Sequence, residues 1–351
     1  MRFVRTFHSV GHGAFYTERF YDDSYNNPQN VANFVYDCGS ITDLQKLQQE
    51  INREFNQGTK IINAVFISHF HEDHINGLGH LLGNCTVQNI VIPKMPQDFI
   101  IYAMIQNALI QKGGPSSTAN DILSSILSEE GHNNEEFQIV QIGEDDDNDT
   151  TLKGLLPPSV KDIWEYRALV LTCKSQKYKN RLHSLTQSLQ QDAIFRTAFK
   201  SNGIIDYPKF NHLLKNNNNL SHLRGLVSQY NLNGNHYNMV VGSEPTDKTL
   251  HMGCLFTGDA MLKCKSRMKQ LVGKYAVNSS LYHCLQVPHH GVVGDNHNAQ
   301  LYTSPKECIV SVKDGDPNRP AATVKNDITI NGGNCVKVTE KTNNLQYQHT
   351  L

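Results

Sequence analysis

His69-Phe70-His71-Glu72-Asp73-His74 follows directly on the apolar stretch Ile61 to Ile67. Four metal-binding side chains fall within these six residues, at the C-terminal end of what reads as a buried strand. Side chains repeat every two residues along a strand, which sets His69 and His71 on one face. Asp73 and His74 then belong to the turn that follows, closed tightly by Asn76-Gly77-Leu78-Gly79. The four ligands can be shared between two adjacent ions. Two imidazoles with further nitrogen and oxygen donors suit zinc best, with manganese or iron as the alternatives.

A second cluster lies far downstream. Cys254-Leu255-Phe256-Thr257 leads into Gly258-Asp259-Ala260, an apolar strand ending in an acid, and the glycine lets the backbone turn closely past its surroundings. An aspartate so placed can bridge two cations. Thirty residues on, Leu285-Gln286-Val287-Pro288 delivers His289-His290-Gly291. One of two adjacent imidazoles at a strand end can bind an ion while its neighbour reaches the reacting group.

The bulk properties are those of a folded protein. The chain has 351 residues, 38% hydrophobic and 19% charged, enough for two domains or one elaborated α/β domain. A net charge of −1 gives no global attraction for nucleic acid. Eight cysteines are scattered without a CxxC pair, the pattern of reduced, buried thiols. Met1-Arg2-Phe3-Val4-Arg5 passes straight into a strand pattern with no apolar export region, and no stretch is long enough to span a bilayer. The expectation is a cytoplasmic protein without a membrane partner.

Along the chain, residues 2–8 and 31–37 read as strands separated by Gly11-His12-Gly13 and a polar segment. Residues 42–55 have helical spacing, with Thr42 or Ser40 as N-cap. Residues 61–68 and 87–93 read as strands, 97–112 and 119–130 as helices, 136–142 as a strand, 143–151 as a solvated acidic loop and 162–173 as a strand. From Lys177 to about Tyr230 the pattern is helical and polar, and between Arg167 and Arg224 ten basic residues face two acidic ones. Strands then resume at 238–243, 250–257, 282–288, 307–312 and 334–340. Three segments follow: 1–95 as the first half of one α/β domain, 96–234 as its continuation with a helical insertion, and 235–351 as its second half.

Together the three motifs resemble the metallo-β-lactamase fold superfamily of metallo-hydrolases, and within it the group containing the metallo-hydrolase domain of ComEC/Rec2. Val10-Gly11-His12-Gly13, Phe34-Val35-Tyr36-Asp37-Cys38-Gly39, Asn235 to Val241 and Asn318-Arg319-Pro320 are similar to further segments of that group. The resemblance covers about residues 1–95 and 235–345. It implies an αββα sandwich of two sheets with helices outside, here with an inserted, mostly helical basic segment. It also implies a binuclear site at one edge. One ion would be held by His69 and His71, the other by Asp73, His74 and His290, with Asp259 bridging. Most of the superfamily places a further histidine ahead of the bridging aspartate. His236 and His222 are the candidates here, or the position is filled by water or by His289.

The implied activity is that of a binuclear hydrolase, foremost a phosphodiesterase or nuclease using a metal-bridging hydroxide. Asp73 would orient the nucleophile as well as bind metal, and His289 would serve the leaving oxygen. His12 and Asn238 are the candidate substrate contacts. The basic stretch 167–224 would meet phosphates of a nucleotide or nucleic acid. The alternatives are hydrolysis of a lactone, thioester or amide on the same site, or an effector subunit regulated by a protein partner docked on the helical insertion.

Overall fold

The computed structural model describes residues 1–24, 26–55, 61–110, 122–124, 126, 137–144, 148–232, 237–277 and 281–351. Fifteen strands are described: β1 Arg2–Phe7, β2 Gly13–Asp22, β3 Gln29–Ser40, β4 Ile61–Ile62, β5 Ala64–Phe66, β6 Thr86–Val87, β7 Asn89–Pro93, β8 Gln138–Ile142, β9 Trp164–Leu171, β10 Asn238–Pro245, β11 Gly253–Phe256, β12 Tyr282–Gln286, β13 Glu307–Ser311, β14 Asn334–Val338 and β15 Leu345–Thr350. Thirteen of them form two sheets. One runs β15-β1-β2-β3-β5-β7-β8, the other β14-β13-β12-β11-β10-β9, and β4 and β6 pair separately.

Aromatic side chains of the first sheet pack on those of the second. Tyr36 stacks on Phe256 with ring centroids 4.8 Å apart, Phe34 meets Tyr166 at 4.7 Å, and Phe3 meets Trp164 at 4.2 Å. Leu47 and Ile51 of helix Leu44–Glu54, and Leu78 and Leu81 of helix Leu78–Asn84, are buried in the same core, with these helices lying along β3. A separate apolar layer joins Leu169, Val240, Leu255 and Leu285 to Met268 and Leu271 of helix Lys265–Tyr275 and to Val324 and Ile328 of helix Ala322–Ile330. The chain is an αββα sandwich. Among the described residues, no helix is long and apolar enough to cross a membrane.

The insertion sits between the paired strands β9 and β10. Its helix Gln176–Gln191 starts at Ser175, whose Oγ accepts from Tyr178 N, and buries Tyr178, Leu182, Leu185 and Leu189 along one stripe. That stripe faces helix Gln97–Ile110. Helices Tyr207–Leu214 and Asn217–Gln229 follow.

Several elements differ from the sequence reading. Gly13–Asp22 is a ten-residue strand paired on both sides, and burial on both faces erases the alternation that would have revealed it. Residues 61–68 break at Asn63 into β4 and β5, which join different sheets. Leu78–Asn84 is a helix, not part of a closing turn. Helix Leu44–Glu54 is capped by Asp43, whose Oδ1 accepts from Lys46 N, rather than by Thr42 or Ser40. Within the expected acidic loop, Asn148–Gly154 is helical and Glu144 is tied to Thr172 at 2.6 Å. The expected helix 119–130 falls largely outside the described residues.

Two buried acids lock the first sheet. Glu18, opposite Arg5 across β1 and β2, accepts from Arg5 Nε at 2.6 Å, Ser243 Oγ at 2.6 Å and Tyr166 Oη at 2.7 Å, so it ties the two sheets together. Glu18→Ala would strand the Arg5 charge in the core. It should lower the unfolding free energy by about 3–5 kcal/mol, measured by urea denaturation. Glu50 joins helix Leu44–Glu54 to the C-terminal end of the chain through Asn344 Nδ2 at 2.8 Å. Burial opposes its charge, but hydrogen bonds from His8, Asn344 and Lys46 prevail and hold its carboxyl down to about 2. An acid depressed on folding stabilises above its unfolded value, here 4.5, and that contribution disappears as pH falls toward 2. Glu50→Gln should therefore flatten the fall in melting temperature between pH 4.5 and 2.

Candidate metal centre

The site forms where chain leaves the C-terminal ends of β3, β5, β11, β12 and β13. Asp37, near the end of β3, is fully buried and left-handed (φ 53°). Its Oδ1 accepts from Ser68 N at 2.7 Å, and its Oδ2 accepts from Ser68 Oγ and from His74 Nδ1, each at 2.7 Å. The Ser68 hydroxyl, spent on Asp37, accepts in turn from His69 Nδ1 at 2.9 Å. Both imidazoles thereby turn Nε2 inward. Gly39 permits the close approach of this loop, since a Cβ there would lie 2.4 Å from the Asp73 carbonyl carbon.

On the other sheet, Gly258 takes φ 54°, and a Cβ on it would meet Ser68 at 2.6 Å. Gln286 Oε1 accepts from Thr257 N and Gly258 N, both at 2.7 Å, and Asn238 Oδ1 accepts from Asp259 N at 3.0 Å. The turn is thus fastened so that Asp259 points at the histidines. His69 Nε2 is 3.5 Å and His71 Nδ1 4.0 Å from Asp259 Oδ2, and His74 Nε2 is 3.3 Å from Oδ1. His290 donates Nδ1–H to Ser311 O at 2.7 Å and brings Nε2 to 3.0 Å from Asp73 Oδ2. His74 Nε2 is 3.7 Å from the same oxygen.

Two three-donor groups result, His69–His74–Asp259 and Asp73–His74–His290. His69 Nε2, His74 Nε2 and Asp259 Oδ1 are buried with no hydrogen-bond partner. Unpaired buried donors of this kind are costly unless something coordinates them. Lone pairs from imidazole and carboxylate, with each Nδ1 held from outside, form a donor set that fits a divalent cation.

The electrostatics agree. Burial lowers His69 to about 3, with His74 and His71 adding to the effect. Burial would lower His74 too, but the carboxylates of Asp73, Asp259 and Asp37 outweigh it and raise the ring well above its ordinary value. Burial works against the Asp259 and Asp73 carboxylates, yet His74 and the neighbouring imidazoles hold both below the usual range. The cluster is short of positive charge.

The structure brings His69, His71, Asp73, His74, Asp259, His289 and His290 together. His12 lies at the rim, its ring 5.3 Å from that of His290 and its Nε2 3.1 Å from Asp316. Burial, His290 and Arg319 lower it to about 4. Asn238, expected to touch substrate, is buried with its amide spent on Thr257 O and Asp259 N, so it holds the turn instead. His222 is remote, bonded to Asp192 and stacked on Phe195. His236 lies outside the described residues. Sequence reasoning missed Ser68, Gln286 and Asn296, and placed Asp37 in a family-like segment without a role; all four act only through other residues. An aromatic wall of Phe99, Tyr102, Tyr178 and Tyr237, with Met95, adjoins His69 and His71.

A sequence-family model described as "Anti-Pycsar protein Apyc1" matches residues 6–121, about a third of the chain. No curated protein matches the chain at a significant level. Among solved structures, the chain is similar to the metallo-β-lactamase fold protein YhfI from Bacillus subtilis, at 9% identity and TM-score 0.45 over 99% of both chains. It is similar to unliganded yeast PDE1 at 10% identity and TM-score 0.43 over 98% of both chains. It is also similar to a long form RNase Z from yeast, at 7% identity and TM-score 0.37, over 89% of this chain and 36% of that one.

Asp37→Asn tests the support of the cluster, because asparagine tolerates the left-handed backbone but cannot accept on both sides. Affinity for Zn²⁺, measured by chelator competition, should fall roughly 10–100-fold.

Proposed function

We propose that the protein is a binuclear metal-dependent hydrolase of phosphodiesters, acting on a nucleotide or nucleic acid. The observation that carries this reading is the set of buried, partnerless donor atoms gathered on Asp259. His69 and His71 would hold one divalent ion, Asp73, His74 and His290 the other, with Asp259 shared between them. Zinc suits the nitrogen-rich donor set. Two ions bound there would polarise a phosphoryl oxygen and bring the pKa of bound water down toward neutrality.

The chain's own residues then define how substrate is received. Asp73, with one carboxylate oxygen against His290 and His74, would orient an attacking water. His12, neutral at physiological pH by its lowered pKa, can donate or accept a hydrogen bond at the rim beside Arg319. The aromatic wall offers a planar, apolar surface next to the ions, suited to a base or another flat group on the ester. Tyr178 of that wall belongs to the inserted helix, which also carries Lys177, Lys179 and Arg181. These cations share the helix of Tyr178 and would meet further phosphates of a longer substrate. The motif resemblance to the ComEC/Rec2 group is in keeping with phosphodiester cleavage.

Elemental analysis paired with hydrolysis of bis(p-nitrophenyl) phosphate tests the proposal. About two ions per chain and turnover that stops on chelation and returns with Zn²⁺ or Mn²⁺ are expected. Asp259→Ala should abolish turnover and full loading together. Two ions without turnover on any phosphodiester would point to another bond, and no bound metal would end the reading.

A further inference from the structure

The ligand set read from the motifs leaves the first ion with fewer protein donors than the second. Three imidazole nitrogens nonetheless face one carboxylate oxygen. His289 Nε2 is 3.7 Å from Asp259 Oδ2, the same atom that His69 Nε2 approaches at 3.5 Å and His71 Nδ1 at 4.0 Å. The other oxygen, Oδ1, faces His74. The two oxygens of Asp259 thus face different neighbours, Oδ2 being approached by His69, His71 and His289 and Oδ1 by His74.

The orientation of the His289 ring is fixed by a residue with no assigned role. Asn296 is buried and donates Nδ2 to Asp259 O at 2.8 Å and to Ala260 O at 3.2 Å. Those two carbonyls can only accept, so the amide has one orientation and presents Oδ1 to His289 Nδ1 at 3.0 Å. His289 must then carry its proton on Nδ1 and its lone pair on Nε2, toward the cluster. The backbone enforces the same placement. His289 and His290 both take left-handed φ, 48° and 56°, and His289 N donates to Gly258 O at 3.1 Å. Two successive non-glycine residues in that region are strained. With this backbone the His289 ring faces Asp259 and the His290 ring faces Asp73.

We infer that His289, with Asn296 fixing its tautomer, is the third protein ligand of the first ion, and that it takes the place of the histidine expected ahead of the bridging aspartate. This rests on the binuclear reading above and replaces the proton-transfer role that the motif comparison gave to His289. Asn296 is a positioning residue.

The test is metal binding by the intact chain, stripped and reloaded with Co²⁺ or Zn²⁺, read by elemental analysis and by the visible absorption of Co²⁺. His289→Asn is the variant of choice. Asparagine suits the left-handed backbone, and the ring is about a third exposed, so its loss opens no cavity. The wild type should hold two ions. His289→Asn should keep one tightly and bind the other at least tenfold more weakly, with the Co²⁺ spectrum of one site changed and the melting temperature of the metal-free protein unchanged. Asn296→Leu should shift in the same direction, and Asn296→Asp should recover loading only in part, since a carboxylate accepts from His289 Nδ1 but cannot donate to the carbonyls of Asp259 and Ala260. Unchanged affinity for both ions in His289→Asn would overturn the inference and leave the binuclear reading standing. So would loss of one ion in His236→Ala with His289→Asn unaffected. A wild type that binds no ion would instead remove the reading on which the inference rests.

Discussion

The centre depends on the burial of one carboxylate. Asp37 has no solvent to receive its charge, and its oxygens are satisfied only by Ser68 N, Ser68 Oγ and His74 Nδ1. Burial pushes its pKa up, and His74 and Ser68 pull against that rise. The acid can stay ionised only while the loop after β5 stays in place. The loop stays in place because the acid is there. From this mutual requirement follow the direction of His74, through Ser68 that of His69, and the meeting of both with Asp259.

The second sheet answers with neutral groups. Gln286, Asn238 and Asn296 hold the 257–260 turn and the His289 ring entirely through amides, and Ser311 holds His290 through a carbonyl. The negative charge at the centre of the cluster therefore comes from Asp37, Asp73 and Asp259. Amides in these positions hold the turn without adding charge of their own beside the acids.

Much of the site could be read in the sequence, since coordination chemistry demands particular residue types at short spacing. His69 to His74, Gly258-Asp259 and His289-His290 each sit on a strand end within a few residues of chain. What could not be read was support. Asp37 lies 31 residues before Ser68, and Asn296 is joined to Asp259 by a bond across 37. Such partners have no local pattern to mark them. The fold followed the same division. Strands with one apolar face or an apolar run were legible, whereas β2 was hidden because Thr17 and Glu18 are buried there by bonds to distant residues. Strand β15 was hidden because its alternating half-exposed pattern, Leu-Gln-Tyr-Gln-His-Thr, acquires meaning only beside β1.

That last pairing bears on how the molecule assembles. β15 runs antiparallel to β1 in register from Arg2–Thr350 to Phe7–Leu345, so β1 gains its outer neighbour only from residues synthesised more than three hundred positions later. Until then β1 offers an open hydrogen-bonding edge, the kind of template that recruits foreign strands. Contacts of this sequence separation also close late, after the loop-closure entropy has been met. Arg5 is well suited to such an interval. A charge on the waiting strand discourages misjoined partners while the chain is incomplete, and it is neutralised by Glu18 once the sheets close. The residue that later holds the core together can thus first act as its guard.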